Sequence, residues 1–262
     1  MAATATFRFR SNLYTAMSLP TDQQALTELR AWQRQMQQKP TLLNRVTRRV
    51  QARLNALLPE KVHVAITAAI QKMVQGVLFG STHTTQRPVL EGTLQEREER
   101  VRARIRAYRN TAALEGGVTG AGGFLLGLAD FPLLLGIKLK LLFDIAALYG
   151  HDVRSFPERL YLLHIFQLAF SSQHTRRETY QQLAAWPETQ QTVTAETFDW
   201  RTFQQEYRDY IDLAKLAQLV PVIGAAVGAV ANYRLLAQLG ETAIMCYRLR
   251  WFAEENLLSE KP

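Results

Sequence analysis

Two apolar segments punctuated by glycine, residues 116–149 and 213–232, constrain this chain more than any other feature. In the first, Gly116, Gly117, Gly120, Gly122, Gly123 and Gly127 crowd together, and residues 118–137 carry one charge, Asp130. That stretch reaches the roughly 20 residues a membrane-spanning helix needs. Pro132 in its middle, and Lys138 and Lys140 just beyond, count against a span. A helix in lipid would have to satisfy the carbonyl freed by the proline and carry both amines to the interface. The second segment is uncharged only over residues 216–231 and is broken by Pro221, so it is short for a crossing. Both segments place small residues four apart, at Gly116 and Gly120, Gly123 and Gly127, and Gly224 and Gly228. That spacing lets helices approach closely in a protein core as it does in lipid. The expectation is a tightly packed helix pair at the centre of a bundle, with insertion into lipid as the alternative.

Helix signals recur from end to end, and no run alternates apolar and polar residues in the manner of a strand. The fold class is all-α, a multi-helix bundle with a central Gly-rich apolar helix pair. Thr21 with Gln24 forms a capping box opening a helix that Pro40 ends, and further helices cover 41–58 and 60–79. Thr93 with Glu96 is a second box. The helix it opens carries Arg97, Arg100, Arg102, Arg104, Arg106 and Arg109 beside the apolar stripe Val101, Ile105, Tyr108 and Ala112. Asp130 and Pro132 lead into an apolar helix ending near Tyr149, where Gly150 is a left-handed stop. Ser155 with Glu158, around Pro157, is a third box opening a helix to about residue 170. Helices over 174–186 and 198–219 follow, and one long helix runs from beyond Pro221 to about residue 255. The division that results is a flexible N-terminus over 1–20, a basic helical region over 21–80, a linker over 81–92 and a larger helical domain over 93–258.

Charge is spread unevenly. Residues 1–115 hold 18 Lys and Arg against 8 Asp and Glu, whereas residues 116–262 hold 13 against 15. A basic first part attracts polyanions, of which an anionic membrane surface or a membrane transporter is the favoured partner. The arginines Arg97, Arg100, Arg104, Arg106 and Arg109 are the candidate anion-facing set, against the plainer reading of a core helix wearing a charged outer face. Nucleic acid fits less well, since no aromatic residues interleave with them for stacking. Cys246 is the only cysteine, so no intramolecular disulfide forms, which suits a cytoplasmic protein that is in contact with the inner membrane face.

The sequence discloses no reaction. It has no zinc-protease His-Glu-x-x-His, no phosphate-binding Gly-Lys loop and no nucleophile elbow, and no cofactor is expected. His151 and His164 could meet a metal only with Asp130 or Asp144, without any short ligand spacing to support it, so the metal expectation is none. The candidate pocket is Asp130, Tyr149, Asp152, Arg159 and Asn232. Asp130 is either an acid in apolar surroundings or a helix N-cap before Pro132. Tyr149 and Asp152 bracket a sharp corner, with Asp152 bonding backbone amides or Arg159. Asn232 is either a polar ligand contact or an amide tying two helices together.

The same residues carry a resemblance. The Gly-rich stretch, Asp130-Phe131-Pro132, the apolar helix ending Tyr149-Gly150-His151-Asp152, and Glu158-Arg159 resemble the bacterial EcsC family. Pro221-Val222-Ile223-Gly224-Ala225 through Asn232, and Tyr247-Arg248-Leu249-Arg250-Trp251, resemble its C-terminal signature, so the likeness covers roughly residues 93–252. It implies that Gly120, Gly123, Pro132, Gly150, Pro221 and Gly224 are structural positions. It also implies kinship with a protein encoded beside the two components of an ABC-type exporter, in a family of unestablished biochemical function sometimes labelled peptidase-like.

Overall fold

A computed structural model describes residues 22–38, 60–79, 85–119, 123–172, 175–190, 194–196 and 224–254. These form eight helices: α1 (Asp22–Gln37), α2 (Glu60–Phe79), α3 (Leu94–Thr119), α4 (Gly123–Leu148), α5 (Phe156–Phe170), α6 (Arg176–Ala184), α7 (Trp186–Thr189) and α8 (Gly224–Glu254). No strand appears among the described residues, as the fold class requires. The helices expected over 41–58 and 198–219, residues 1–20, and the positions Gly120 and Pro221 lie outside them.

The long helix α8 is the axis of the bundle and packs most extensively along α3. The two run antiparallel: Arg248 pairs with Glu98 at one end, Glu241 with Arg102 midway, and Tyr233 takes the Arg109 guanidinium on its ring at the other. Gly240 permits the close approach. A Cβ there would lie 2.6 Å from Cδ1 and 2.7 Å from Cγ1 of Ile105. α4 runs antiparallel to α3, tied by Tyr108 donating to Asp144 and by Arg97 donating to the Leu148 carbonyl. α4 and α8 are therefore parallel, and they meet where Tyr149 stacks on Tyr247. α5 closes the other side of α8 through Tyr161, whose hydroxyl donates to the Cys246 carbonyl at 2.7 Å, and through Gln238, which donates to the Ala169 carbonyl.

Several local expectations change. α3 continues through Gly116 and Gly117 to Thr119, and α4 begins at Gly123 rather than after Pro132. Asp130 is thus an interior helical residue and not an N-cap. Pro132 sits inside α4, removing one backbone donor from the helix ladder, a cost that tertiary packing can offset. The Thr93 box forms as read, with the Thr93 amide donating to Glu96 at 2.9 Å and the Glu96 amide donating back to the Thr93 hydroxyl at 3.3 Å. The Ser155 box does not, because Glu158 turns into the core and Ser155 caps no amide. α1, α2 and the helices from α3 onward share one apolar core, with Leu29, Trp32, Met73 and Val77 buried alongside Val101, Leu142 and Phe166. The stretch over 85–93 therefore runs across the surface of a single packed body within the described residues. None of the described helices is long and apolar enough to cross a membrane.

Candidate binding cleft

The C-terminal ends of α4 and α8 converge on a half-open cleft of about 300 Å³, lined by Leu90, Arg97, Tyr149, Gly150, His151, Tyr247, Trp251 and Glu254. Its shape begins with Gly150. The residue has φ +95°, the Gly150 amide donates to the Ala147 carbonyl, and the His151 amide donates to the Ala146 carbonyl. That pairing is the Schellman arrangement, which needs a residue tolerant of left-handed backbone. A Cβ on Gly150 would also meet the Arg97 guanidinium at 2.9 Å and the Val89 carbonyl at 3.0 Å. The stop therefore turns the chain and makes room for an arginine.

Arg97 uses that room as an internal clamp. It donates to the carbonyls of Gly92 (3.1 Å), Leu90 (2.8 Å), Leu148 (3.2 Å) and Val89, tying the segment before α3 to the end of α4. Its face lies 5.4 Å from the Trp251 ring centroid. Burial holds its pKa below the usual guanidinium value, and the nearby charge of Arg100 lowers it further.

Two buried ion-pair clusters stand behind the cleft. In one, Arg248 is fully buried and grips Glu98 bidentately at 2.5 and 2.7 Å. It also reaches Glu28 at 2.8 Å, while Tyr149 donates to Glu98 at 3.4 Å. In the other, Glu158 accepts from Arg250 and from the Tyr247 hydroxyl, each at 2.6 Å, with His151 Nδ1 at 3.9 Å. Charges buried this way are tolerable only when paired and hydrogen-bonded. Tyr149 and Tyr247 stack with centroids 4.8 Å apart, and His151 stacks on Tyr247 at 5.2 Å. Burial pushes both phenols well above the ordinary tyrosine value, so each stays a hydrogen-bond donor. Burial also drives the His151 imidazole down to about 4, outweighing the opposite pull of Glu158. The ring is neutral near pH 7. The Trp251 indole N–H is buried without a hydrogen-bond partner.

This set can bind better than it can react. The floor is aromatic, four of the five Arg97 N–H groups donate to backbone carbonyls, and the His151 imidazole and the exposed Glu254 carboxylate are the polar groups left to meet a ligand, while the Trp251 indole N–H is buried. No serine, threonine or cysteine lines the cleft. Cys246 is fully buried in α8, and burial raises its thiol pKa far above the usual value, which fits a core filler. His164 is buried against Gln167 and Trp186. No three metal-ligating side chains gather among the described residues.

The pocket residues expected from sequence do not converge. Tyr149 lines the cleft. Asp152 faces outward and accepts from the Arg154 amide at 2.9 Å, the backbone bond expected of it, and its guanidinium partner is Arg154 at 2.8 Å and not Arg159. Arg159 is half-buried, and its Nε has no partner. Asn232 is fully buried well down α8 from the cleft, with neither amide atom bonded. The side chain of Asp130 lies outside the described residues. The anion-facing set divides as well. Arg97 and Arg109 turn inward, Arg104 pairs with Asp144 at 3.7 Å, and Arg100 and Arg106 remain exposed. The residues missed are Glu98, Glu158, His151, Tyr247, Arg248, Arg250 and Trp251. Four of them, Tyr247, Arg248, Arg250 and Trp251, stand in the motif over 247–251, but helix periodicity alone assigns such arginines to solvent.

Comparison with known proteins shows the family. The family model described as the EcsC protein family matches residues 23–252. The chain is 45% identical over 236 residues to Protein EcsC of Bacillus subtilis (strain 168), covering 89% of this chain and 98% of that protein. It is 28% identical over 260 residues to uncharacterized protein YdbA of the same organism, covering 91% and 95%. No solved structure matches. The match begins at residue 23, so α1 and α2 belong to it, a region in which sequence reading found no part of the signature.

Proposed function

The chain belongs to the EcsC family, and on that premise we propose that it is a non-catalytic accessory protein that docks on a membrane transport system from the cytoplasmic side, receiving its partner in the cleft. The observation that carries this reading is the composition of the cleft. An aromatic shelf, a neutral imidazole and an unsatisfied indole N–H offer a seat for an apolar or aromatic side chain with an acceptor oxygen beside it. Buried donors without partners are uncommon; the Trp251 N–H is not exposed in the free chain, so in this reading the indole turns toward the cleft on docking and an acceptor on the partner removes the penalty of leaving it unpaired. The family's peptidase-like label would need a nucleophile or metal set, which the cleft-lining residues do not supply.

A second reading, association with anionic lipid itself, is favoured by the excess of 18 basic over 8 acidic residues in 1–115 and by exposed Arg100 and Arg106. One experiment separates the two. Purified chain is titrated onto lipid nanodiscs holding a two-component ABC-type exporter, onto empty anionic nanodiscs and onto empty neutral ones. Docking in the cleft gives saturable binding to exporter-loaded discs that Trp251→Ala weakens at least tenfold. Equal, strongly salt-dependent binding to loaded and empty anionic discs replaces it with the lipid reading. Absence of binding to all three defeats both.

A further inference from the structure

The bundle has two unlike ends. The cleft occupies one, and the last turns of α3 with the first turns of α4 and α8 build the other, because α3 runs against both. α5 stops short of that end: Ala169, at its close, meets α8 at Gln238. Charge is sparse there. Over 107–119 in α3, 123–139 in α4 and 224–233 in α8 the charged residues are Arg109, Glu115, Asp130 and Lys138. Arg109 and Lys138 are buried.

The outer surface carries apolar side chains with basic ones above them, toward the cleft. Leu133 is 56% exposed and Val230 50% exposed, and beside Gly136 there is open space where a Cβ would stand. Leu133 lies sixteen residues before Tyr149 and Val230 seventeen before Tyr247, and those two rings stack. The parallel helices therefore set Leu133 and Val230 at one height, about 25 Å from the stack. Single exposed apolar residues are ordinary, but these two have matched company. Lys140 stands two turns up the same face of α4 from Leu133, and Arg234 one turn up the same face of α8 from Val230. On α3, Arg106 follows Ile105, which packs against Gly240, so it falls in the same zone. Arg106 and Arg234 are exposed, and Lys140 is part-exposed while it pairs with Asp144. Each of the three helices thus contributes one cation to a ring between about 10 and 20 Å from the stack.

The dimensions match half a bilayer. From Arg106 to the end of α3 at Thr119 is thirteen residues, about 20 Å, against roughly 40–45 Å for a whole bilayer with its headgroups. None of the described helices is long and apolar enough to cross.

We propose that this end of the bundle enters one leaflet of an anionic bilayer, with Leu133 and Val230 among the acyl chains and Arg106, Lys140 and Arg234 at the phosphates. The long basic side chains reach the headgroup layer from slightly different heights. The proposal rests on the attraction to anionic lipid argued above and gives it a place and a depth. Glu115 and Asp130 oppose entry, and the apolar surface and the basic ring offset them. The cleft then stands about 10–20 Å above the phosphates, open to the water-exposed part of a membrane protein.

The test uses the full chain carrying an environment-sensitive fluorophore at Leu133→Cys, at Val230→Cys, or at Arg154→Cys beyond the cleft end of α4; the native Cys246 is fully buried. Vesicles of phosphatidylglycerol with phosphatidylcholine, or of phosphatidylcholine alone, are added with and without spin-labelled acyl chains as quenchers. On the anionic vesicles the fluorophores at 133 and 230 brighten and are quenched by the labelled chains, while the one at 154 keeps its aqueous signal. Arg106→Gln with Arg234→Gln, two exposed positions, weakens vesicle flotation roughly tenfold or more. Leu133→Asp weakens it as well. Binding with the fluorophores at 133 and 230 left in water overturns insertion while the lipid reading stands; no binding to anionic vesicles overturns both. Quenching at 154 equal to that at 133 overturns the end-on placement. Undiminished flotation of the double variant, or equal binding to phosphatidylcholine alone, overturns the basic ring.

Discussion

Replacing Glu98 by Gln tests the cluster that joins α1, α3, α4 and α8. Glu98 is 1% exposed and Arg248 is not exposed at all, and the two share hydrogen bonds of 2.5 and 2.7 Å. Glutamine keeps the shape and removes the charge. Arg248 then depends on Glu28, whose side chain is 39% exposed and accepts from Nη1 alone. Breaking a buried pair from one side leaves an uncompensated charge and costs about 3–5 kcal/mol. At roughly 2–4 °C per kcal/mol for a chain of this size, the melting midpoint falls by about 10 °C. Urea unfolding followed by far-ultraviolet circular dichroism reads the loss directly. The companion variant carries Glu98→Leu and Arg248→Met together and recovers most of the stability, since exchanging a buried pair for packed apolar side chains is often neutral. A Glu98→Gln loss below about 1 kcal/mol, the worth of an exposed pair, would refute the reasoning. So would a double variant as damaged as the single one.

Three more outcomes follow from the packing and the titrating groups. Gly150→Ala combines a positive φ with a Cβ 2.9 Å from Arg97, so it destabilises the fold by about 2 kcal/mol or more and opens the segment over 85–93 to proteolysis; an unchanged digestion pattern contradicts it. Gly240→Ala overpacks α8 against Ile105 and costs about 1–3 kcal/mol, part of which Ile105→Ala restores in a double-mutant cycle; strict additivity contradicts the contact. His151 and His164 both have folded pKa values lowered to about 4 by burial, against an ordinary 6.5. Between those values the unfolded chain binds more protons, so stability is fully present above pH 6.5 and is lost as pH falls toward 4. The loss is on the order of 3 kcal/mol for each ring at full protonation. His151→Gln flattens that decline in a pH series of urea midpoints, and an identical slope would show that His151 is not held neutral.

Much of the fold was legible because its signals are local. Thr93 with Glu96, Gly150 as a left-handed stop and Pro157 in a first turn each describe a few adjacent residues, and the backbone follows them. The site was legible only where local and tertiary demands coincide, at Tyr149 and Gly150. The arginines show why the rest was hidden. Arg97 occupies the same helix as Arg100 and Arg106, and only the carbonyls of Val89, Leu90, Gly92 and Leu148 decide that it points inward. Glu158 has the spacing of a capping residue, but Tyr247 and Arg250, some ninety residues on, outbid the helix end for its oxygens. Of the two partners expected for Asp152, the backbone amide bond forms, from Arg154, whereas the Arg154 guanidinium takes the place of Arg159. Pairings across the chain depend on which helices become neighbours, which helix periodicity does not encode.

The most direct test of the docking account is the indole N–H resonance of Trp251 in nitrogen-labelled protein, assigned through Trp251→Phe and followed as exporter-loaded nanodiscs are added. The account predicts that this resonance shifts downfield or broadens in step with binding, as its unsatisfied donor gains an acceptor, while empty nanodiscs leave it in place. Complex formation with the Trp251 resonance unmoved would contradict it.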